Sequence, residues 1–159
     1  MDFMMRVYRP EVDKAICEFL EKMHADHENN SSRVLWELLK NVPCFEMFQP
    51  EKFGIWYEHG EVSAFVRPSS PWPVSIVVDH RSTSEDLLLD IIHYTEETFT
   101  GTEDNNRYLV VSANENKGAL KDILLDKGYK KLPGDGGMLQ FLLHKEIPDL
   151  SLPDGFYIK

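Results

Sequence analysis

The sequence predicts an α+β domain of three layers, α/β/α, in which a mixed and mostly antiparallel sheet lies between about four helices. Two observations carry this prediction. The apolar strands Val74–Val78 and Tyr108–Ala113 are separated by an amphipathic helix, an order that predicts a parallel crossover. Before them come a strand, two helices and a tight hairpin, whose strands pair antiparallel. At 159 residues the chain has room for one domain with a sizeable core.

The chain begins with a strand and two helices. Arg6–Arg9 is predicted to be a strand that ends at Pro10. Glu11–Glu28 is predicted to be a helix because apolar residues recur along it at helical spacing. The polar run at 29–32 breaks that helix and caps the next one, which is predicted over Arg33–Asn41.

A hairpin and a strand–helix unit follow. Phe53–Glu58 and Glu61–Val66 are predicted strands, and they flank His59-Gly60, which is typical of a tight turn. The β-branched run Val74–Val78 is predicted to be a buried strand. The helix after it, Leu87–Phe99, keeps its apolar residues on one face.

The last elements are a helix and a strand. Asn116–Lys127 is predicted to be a helix that ends at Gly128, a residue suited to a left-handed cap. Met138–His144 is predicted to be a strand after a turn-rich run. The domain is therefore expected to span residues 1–147.

Charge and hydropathy argue against two classes of protein. The net charge is −10, and residues 1–80 and 81–159 each carry −5, so the total conceals no basic lobe. Nucleic-acid binding is not expected, because phosphate contacts need clustered Lys and Arg. A membrane span is not expected either, because no apolar run approaches the length of about 18 residues that one needs.

The cysteines bear on the location of the protein, and two histidines bear on metal binding. Cys17 and Cys44 make no disulfide framework, and no signal peptide precedes them, so a cytoplasmic location is expected. His24 and His27 could share one helix face, but no third ligand follows at useful spacing. A polar helix end is the favoured interpretation, and no metal is predicted.

The loop before the helix at residue 87 is where a phosphate-binding loop would be expected. A strand, a tight loop and a helix N-terminus form the usual cradle for a cofactor pyrophosphate. Such a loop needs glycine for close backbone approach, yet residues 80–87 contain none. Ser82-x-x-Glu85 and Thr83-x-x-Asp86 are instead capping-box patterns in two registers. A lost cofactor site and an ordinary, well-capped helix both explain these residues.

The order of elements, with three stretches on it, resembles the GNAT N-acetyltransferase superfamily. Tyr57–Phe65 looks like the family's central hairpin, and Val74–Phe99 looks like the strand and helix that bind acetyl-CoA. Asn116–Lys130 looks like the family's next helix, which ends in Gly followed by an aromatic residue. The likeness covers roughly residues 5–145 and implies a GNAT-like acyl-CoA N-acyltransferase fold.

The resemblance implies two sets of site residues. By family position, the acetyl-CoA contacts are Val77, Val78, Arg81, Ser82, Thr83, Ser84, Asn114 and Asn116. The cleft for a small amine acceptor would be bordered by Asp26, Glu28, Trp36 and Trp56. From the residues alone, core or cleft-wall positions are the favoured interpretation of the two tryptophans, and turn and cap positions that of the asparagines.

The features that would carry catalysis in the family are not recognisable. Whether Arg81 or Thr83 opens the pyrophosphate loop, neither of its two glycine positions holds glycine. The family's proton-donating tyrosine falls on Leu124 or Ile123, and neither can move a proton. The catalytic residue is therefore unknown. The resemblance implies a degenerate site, with acetyl-CoA as cofactor only if the domain is active.

Three functions remain open. The first is a non-catalytic domain that has a structural role, or shapes the acceptor site, beside an active half. The second is an active N-acetyltransferase with a divergent pocket, in which water carries the proton. The third is a small-ligand binding module on the same fold.

Residues 148–159 are expected to form a tail. Leu152–Lys159 looks like the opening of a second GNAT domain and is comparable with Met5–Arg9. This likeness predicts that the chain is the N-terminal half of a tandem protein. Its partner would be a second GNAT domain, or another copy of the chain in a homodimer. The alternative is that Phe156–Lys159 is a final edge strand of the same sheet.

Overall fold

A computed structural model of the chain describes residues 3–25, 33–68, 73–79, 81, 83–103, 106–112 and 118–131. The chain divides into two compact units, Met1–Tyr129 and Lys130–Lys159, and every helix and strand given below belongs to the first. The predicted strand Met138–His144 and the predicted tail at 148–159 lie outside the described residues.

The described elements follow the order that the sequence predicts, with an added two-stranded ribbon at Gly101–Glu103 and Asn106–Tyr108. In chain order they are β1 (Phe3–Val7), α1 (Asp13–Ala25), α2 (Arg33–Lys40), β2 (Gly54–Glu58), β3 (Glu61–Pro68), β4 (Val74–Val78), α3 (Glu85–Phe99), β5 (Gly101–Glu103), β6 (Asn106–Tyr108), β7 (Val111–Ser112) and α4 (Gly118–Asp126). Short 3₁₀ helices lie at Pro10–Val12, Phe45–Phe48 and Pro50–Lys52.

Five of the strands form one mixed sheet in the order β1-β2-β3-β4-β7. The first four are antiparallel neighbours, whereas β4 and β7 pair in parallel through Val74 opposite Val111 and Ser75 opposite Ser112. The predicted mixed, mostly antiparallel sheet with a parallel crossover is thereby confirmed.

Two predicted strands differ from the structure by more than two residues at an end. Tyr108–Ala113 is not one strand, because Tyr108 ends β6, which pairs with β5 in a separate ribbon. Among the described residues of this stretch, 108–112, only Val111–Ser112 joins the main sheet. The chain changes partner between them, where the Val110 carbonyl accepts from the Val74 N–H at 2.8 Å. The first strand is Phe3–Val7 rather than Arg6–Arg9, because its register follows β2.

Alternation along the strands divides the core between the two faces of the sheet. Ala64 and Val66 lie in a cluster with α3 and α4, while Phe65 between them lies in a second cluster with α1 and α2. Val77 and Val78 divide in the same way on β4. The period of two in a strand therefore produces the predicted α/β/α layering.

The residues predicted to form the hairpin turn and to end the last helix have the positive φ angles that these roles require. His59 and Gly60 join β2 to β3 with φ angles of 52° and 84°, the positive values that a primed two-residue turn requires. Gly128 has a φ of 91° and donates to the Leu125 carbonyl at 2.9 Å, while Tyr129 donates to the Leu124 carbonyl at 3.0 Å. This pair of bonds is the Schellman ending of α4.

No helix in the described ranges has both the length and the apolar character to cross a bilayer.

Replacing Gly54 with alanine is expected to lower the free energy of unfolding by about 1–3 kcal/mol. A Cβ there would lie 2.5 Å from Cη2 of Trp56 and 2.9 Å from Cε1 of Tyr94. The two rings contact each other edge to face, at 5.3 Å between centroids, so neither moves without disturbing the other. Urea denaturation of the variant measures the effect.

Gly118→Ala is the matched control for this substitution. A Cβ at Gly118 would meet nothing closer than Oδ2 of Asp122 at 3.5 Å, and alanine favours the helix that begins there. Its effect should be neutral or slightly stabilising. Equal losses in the two variants would contradict the packing argument.

Candidate functional site

The loop between β4 and α3 is built around the backbone of Asp79. The Asp79 N–H donates to the Ser63 carbonyl at 2.9 Å, which continues the pairing of β3 and β4. The Asp79 carbonyl then accepts from the Thr83 N–H at 3.1 Å and from its hydroxyl at 2.6 Å. The loop thus closes on its own first residue.

The N-cap of α3 is Ser84. Its hydroxyl accepts from the Leu87 N–H at 3.3 Å. Neither predicted capping-box register is therefore correct, because both place the cap earlier and the hydroxyl of Thr83 is turned to Asp79 instead. Glu85 and Asp86 follow in the first turn of the helix, where both are exposed.

The Asp79 side chain is a buried carboxylate that joins α1 to this loop. Only 3% of the residue is exposed. Its oxygens accept from Arg81 Nε at 3.0 Å, Arg81 Nη2 at 3.3 Å and the Arg81 N–H at 3.2 Å. Lys22 Nζ, from α1, lies at 3.1 Å. Burial acts to raise the pKa of Asp79, but hydrogen bonds from Arg81 and Lys22 outweigh it and hold that pKa below its usual value.

A concave site of about 400 Å³ lies beside this carboxylate, at the end of the β2–β3 hairpin. We call it the hairpin pocket. Its lining combines three acidic and two basic side chains with the turn histidine: Lys22, Glu58, His59, Glu61, Val62, Ser63, Asp79 and Arg81. Its size is at the lower end of the range for small-molecule sites.

The structure describes five of the residues proposed by family position to contact acetyl-CoA. Val77 and Val78 are buried in opposite clusters of the core. Arg81 pairs with Asp79. The Thr83 hydroxyl donates to the Asp79 carbonyl, and Ser84 caps α3. Ser82, Asn114 and Asn116 lie outside the described residues.

The two tryptophans proposed for the acceptor cleft are buried in the core. Neither Trp36 nor Trp56 has any exposed surface. The indole N–H of Trp36 donates to Asp13 at 2.9 Å, and that of Trp56 donates to Asp90 at 2.7 Å. A large ring with one satisfied donor is stable in a core, so packing explains both positions. Asp26 and Glu28 lie outside the described residues.

Between α1 and α2, the ligating atoms of Asp13, Cys17 and Glu37 lie within 4.8 Å of one another. The ammonium group of Lys40 bonds Asp13 at 2.6 Å and Glu37 at 3.0 Å, so this cluster carries its own cation. Burial, with the hydrogen bond to Glu37, raises the pKa of the Cys17 thiol to about 11. The arrangement is that of an internal polar contact between two helices.

Sequence reasoning assigned a role to only two residues of the hairpin pocket, Arg81 as an acetyl-CoA contact and His59 as a turn residue. Asp79 carries one sequence signal, because it is an acid directly after a buried apolar strand. Lys22 carries none, because nothing along the helix indicates which element its ammonium reaches. Glu58 and Glu61 flank a predicted turn, and acids there are ordinary surface residues in most hairpins.

The sequence matches no protein-family model, and no curated protein matches it at a significant level.

Proposed function

We propose that this chain is a GNAT-like acetyltransferase domain whose acetyl-CoA site is degenerate, with a structural or acceptor-site role beside an active half. Its partner would be a second GNAT domain or a second copy of the chain. The sheet order supports the proposed fold, since α3 connects the parallel neighbours β4 and β7 beyond an antiparallel run. That edge is where a GNAT domain would bind its cofactor.

The observation that carries the proposal is the internal bonding of the β4–α3 loop. A pyrophosphate cradle offers unpaired N–H groups to the anion. Here the N–H groups of Arg81 and Thr83 donate to Asp79, and that of Leu87 donates to Ser84. In the described part of the loop, these three N–H groups are thus engaged by the protein's own oxygens.

The acidic residues at the start of α3 also oppose the binding of a phosphate group. Glu85 and Asp86 take the first helical turn, where the positive end of the helix would otherwise favour an anion. The sequence from Ser82 to Asn106 contains seven acidic residues and no Lys or Arg. A polyanionic cofactor would approach carboxylates along this whole segment.

We expect the chain to bind acetyl-CoA with a Kd weaker than about 1 mM at physiological salt. Engaged loop donors and the carboxylates of the first turn of α3 both oppose the pyrophosphate. Calorimetric titration of the full chain measures the affinity. A Kd in the low micromolar range would overturn the proposal and favour an active enzyme.

A charge variant tests the electrostatic part separately. The double change Glu85→Gln and Asp86→Asn should strengthen any residual binding about fivefold per charge removed. Glu97→Gln, an exposed change at the far end of α3, should leave it unaltered. If the double variant also has no effect, the pyrophosphate does not bind at this helix end.

The second candidate is an active N-acetyltransferase that transfers acetyl from acetyl-CoA to a small amine. The observation favouring it is the short parallel contact of β4 and β7, which within the described residues involves only Val74 and Ser75 of β4. Strands that separate beyond such a contact leave space for an extended cofactor. Leu124 is buried and Ile123 half-buried at the positions implied for the proton donor, so water would have to carry the proton.

A further inference from the structure

The outer edge of β1 has no neighbouring strand in the part of the chain that the structure describes. β1 is the first strand of the main sheet and pairs with β2 alone. One residue beyond this pairing, the Tyr8 N–H donates to the Phe53 carbonyl at 2.9 Å. Because main-chain groups alternate in direction along an antiparallel strand, the residues whose N–H and C=O groups point away from β2 follow from this bond. They are Phe3, Met5 and Val7.

The side chains of β1 do little to protect this edge. Met4 is 47% exposed and Val7 is 38% exposed. Free edges in natural proteins are usually blunted by charged side chains, proline or a bulge. The only charged residue of β1 is Arg6, and its guanidinium is turned back onto its own chain, 3.7 Å from Sδ of Met4 and 5.6 Å from the centre of the Tyr57 ring. An apolar strand with open main-chain groups is a surface suited to strand pairing.

The sequence of β1 is complementary to itself in one antiparallel register. A two-fold axis at Met5 places Phe3 opposite Val7 of a second copy, and Met4 opposite Arg6 of that copy. Phe3, Met5 and Val7 then occupy the hydrogen-bonded positions, so every outward N–H and C=O group of both strands has a partner. The full length of β1 is paired in this register.

Charge and exposure favour this register over its neighbours. An axis at Arg6 would place two guanidinium groups directly opposite each other, which destabilises a strand pair. An axis at Met4 would move Val7 past the end of the second β1 and leave its side chain uncovered. With the axis at Met5, each Arg6 faces the thioether of Met4, the same acceptor that it contacts within its own chain. Both exposed apolar side chains are then covered.

We infer that two copies of the chain associate by antiparallel pairing of their β1 edges about a two-fold axis at Met5, which joins their sheets into one. The contact uses five residues of each copy, whereas a standard stable interface uses about 20–30. A reversible dimer with a Kd of about 10–100 µM is therefore expected. The inference specifies the second-copy partner of the proposed function and rests on that part of it alone, so it does not depend on the acetyl-CoA site.

Sedimentation velocity of the full chain, at concentrations from about 5 to 500 µM, measures the association. A monomer–dimer equilibrium without larger species is expected, because two-fold pairing uses both edges and closes the assembly. Hydrogen exchange, followed by NMR on either side of the Kd, identifies the surface. Exchange should slow in the dimer at the outward amides of Phe3, Met5 and Val7. The amides of Met4 and Arg6 face β2 in the monomer as well, so their exchange should change little.

Two variants weaken the pairing in different ways. Met4→Lys places an ammonium opposite Arg6 of the second copy and should weaken dimerisation about tenfold. Val7→Pro removes one outward N–H from each copy and should weaken dimerisation by at least about tenfold. It leaves the bonds between β1 and β2 in place, because proline is tolerated on an edge strand where its nitrogen faces solvent. Leu38→Lys adds the same charge as Met4→Lys at a 61% exposed position of α2, and this matched control should dimerise like the wild type.

Three results would overturn the inference. The first is a chain that stays monomeric up to about 500 µM. The second is a dimer that folded Met4→Lys does not weaken, or that Leu38→Lys weakens equally, because the contact would then lie elsewhere on the chain. The third is a series of larger species with no limiting dimer. If Val7→Pro does not fold, Met4→Lys decides alone. None of these results alters the affinity for acetyl-CoA, which calorimetry measures separately.

Discussion

Replacing Trp36 with alanine is expected to lower the free energy of unfolding by about 3–5 kcal/mol. The side chain has no exposed surface, and its ring lies 5.2 Å from the ring of Phe65 and 5.4 Å from that of Tyr8, measured between centroids. Truncation would leave a cavity between α2 and the sheet and would remove the donor to Asp13. Urea denaturation followed by circular dichroism measures the loss.

Two variants separate packing from the hydrogen bond. Leu38→Ala changes a residue of the same helix that is 61% exposed, and its effect should stay within about 0.5 kcal/mol. Trp36→Phe keeps most of the ring contacts but leaves Asp13 without the indole donor, so it should be intermediate. If Trp36→Ala cost as little as Leu38→Ala, the ring would be the wall of a cleft, as its family position implies.

The sequence predicted best where a local signal determines the structure. His59-Gly60 could only form a tight turn between two β-rich runs, and Gly128 could end a helix because it tolerates a positive φ. The β-branched run Val74–Val78 could be recognised without knowledge of its neighbours. In each case the residues that determine the conformation lie within a few positions of one another.

Predictions that depend on partners distant along the chain were less successful. An aromatic side chain looks the same in sequence whether it lines a cleft or fills a core. The acids that satisfy Trp36 and Trp56 are 23 and 34 residues away from them. The apolar run Tyr108–Ala113 likewise reads as one strand, because a hydrophobic pattern does not show where a chain exchanges one partner strand for another. The hairpin pocket was missed for the same reason.

Replacing Asp79 with asparagine is expected to lower the free energy of unfolding by about 2–4 kcal/mol at pH 7. An amide has one acceptor oxygen in place of two, and its NH₂ group would face the donors of Arg81 and Lys22. The two bonds that the Thr83 N–H and hydroxyl donate would survive, because both end on the Asp79 carbonyl. Asp86→Asn, an exposed change at the start of α3, should stay within about 0.5 kcal/mol and serves as the control.

The pH dependence of this loss identifies its cause. The pKa of Asp79 is lowered in the folded state, so its contribution to stability is fully present above the unfolded-state pKa of about 3.9. That contribution is lost as the pH falls through the lower, folded-state pKa, where the wild-type carboxyl becomes protonated. Denaturation of both proteins at a series of pH values should therefore show a constant difference from pH 7 to pH 5. The difference should shrink toward pH 3, and the variant should lose less stability in acid than the wild type.

The opposite result would change the description of the site as well as its energetics. A difference that persists undiminished in acid would mean that Asp79 acts through shape or a neutral hydrogen bond rather than through its charge. The β4–α3 loop would then not depend on the ion pairs that join it to α1 through Lys22. The Asp79 carboxylate, which orders Arg81 beside the hairpin pocket, would then not stabilise the fold by neutralising Lys22 and Arg81 there.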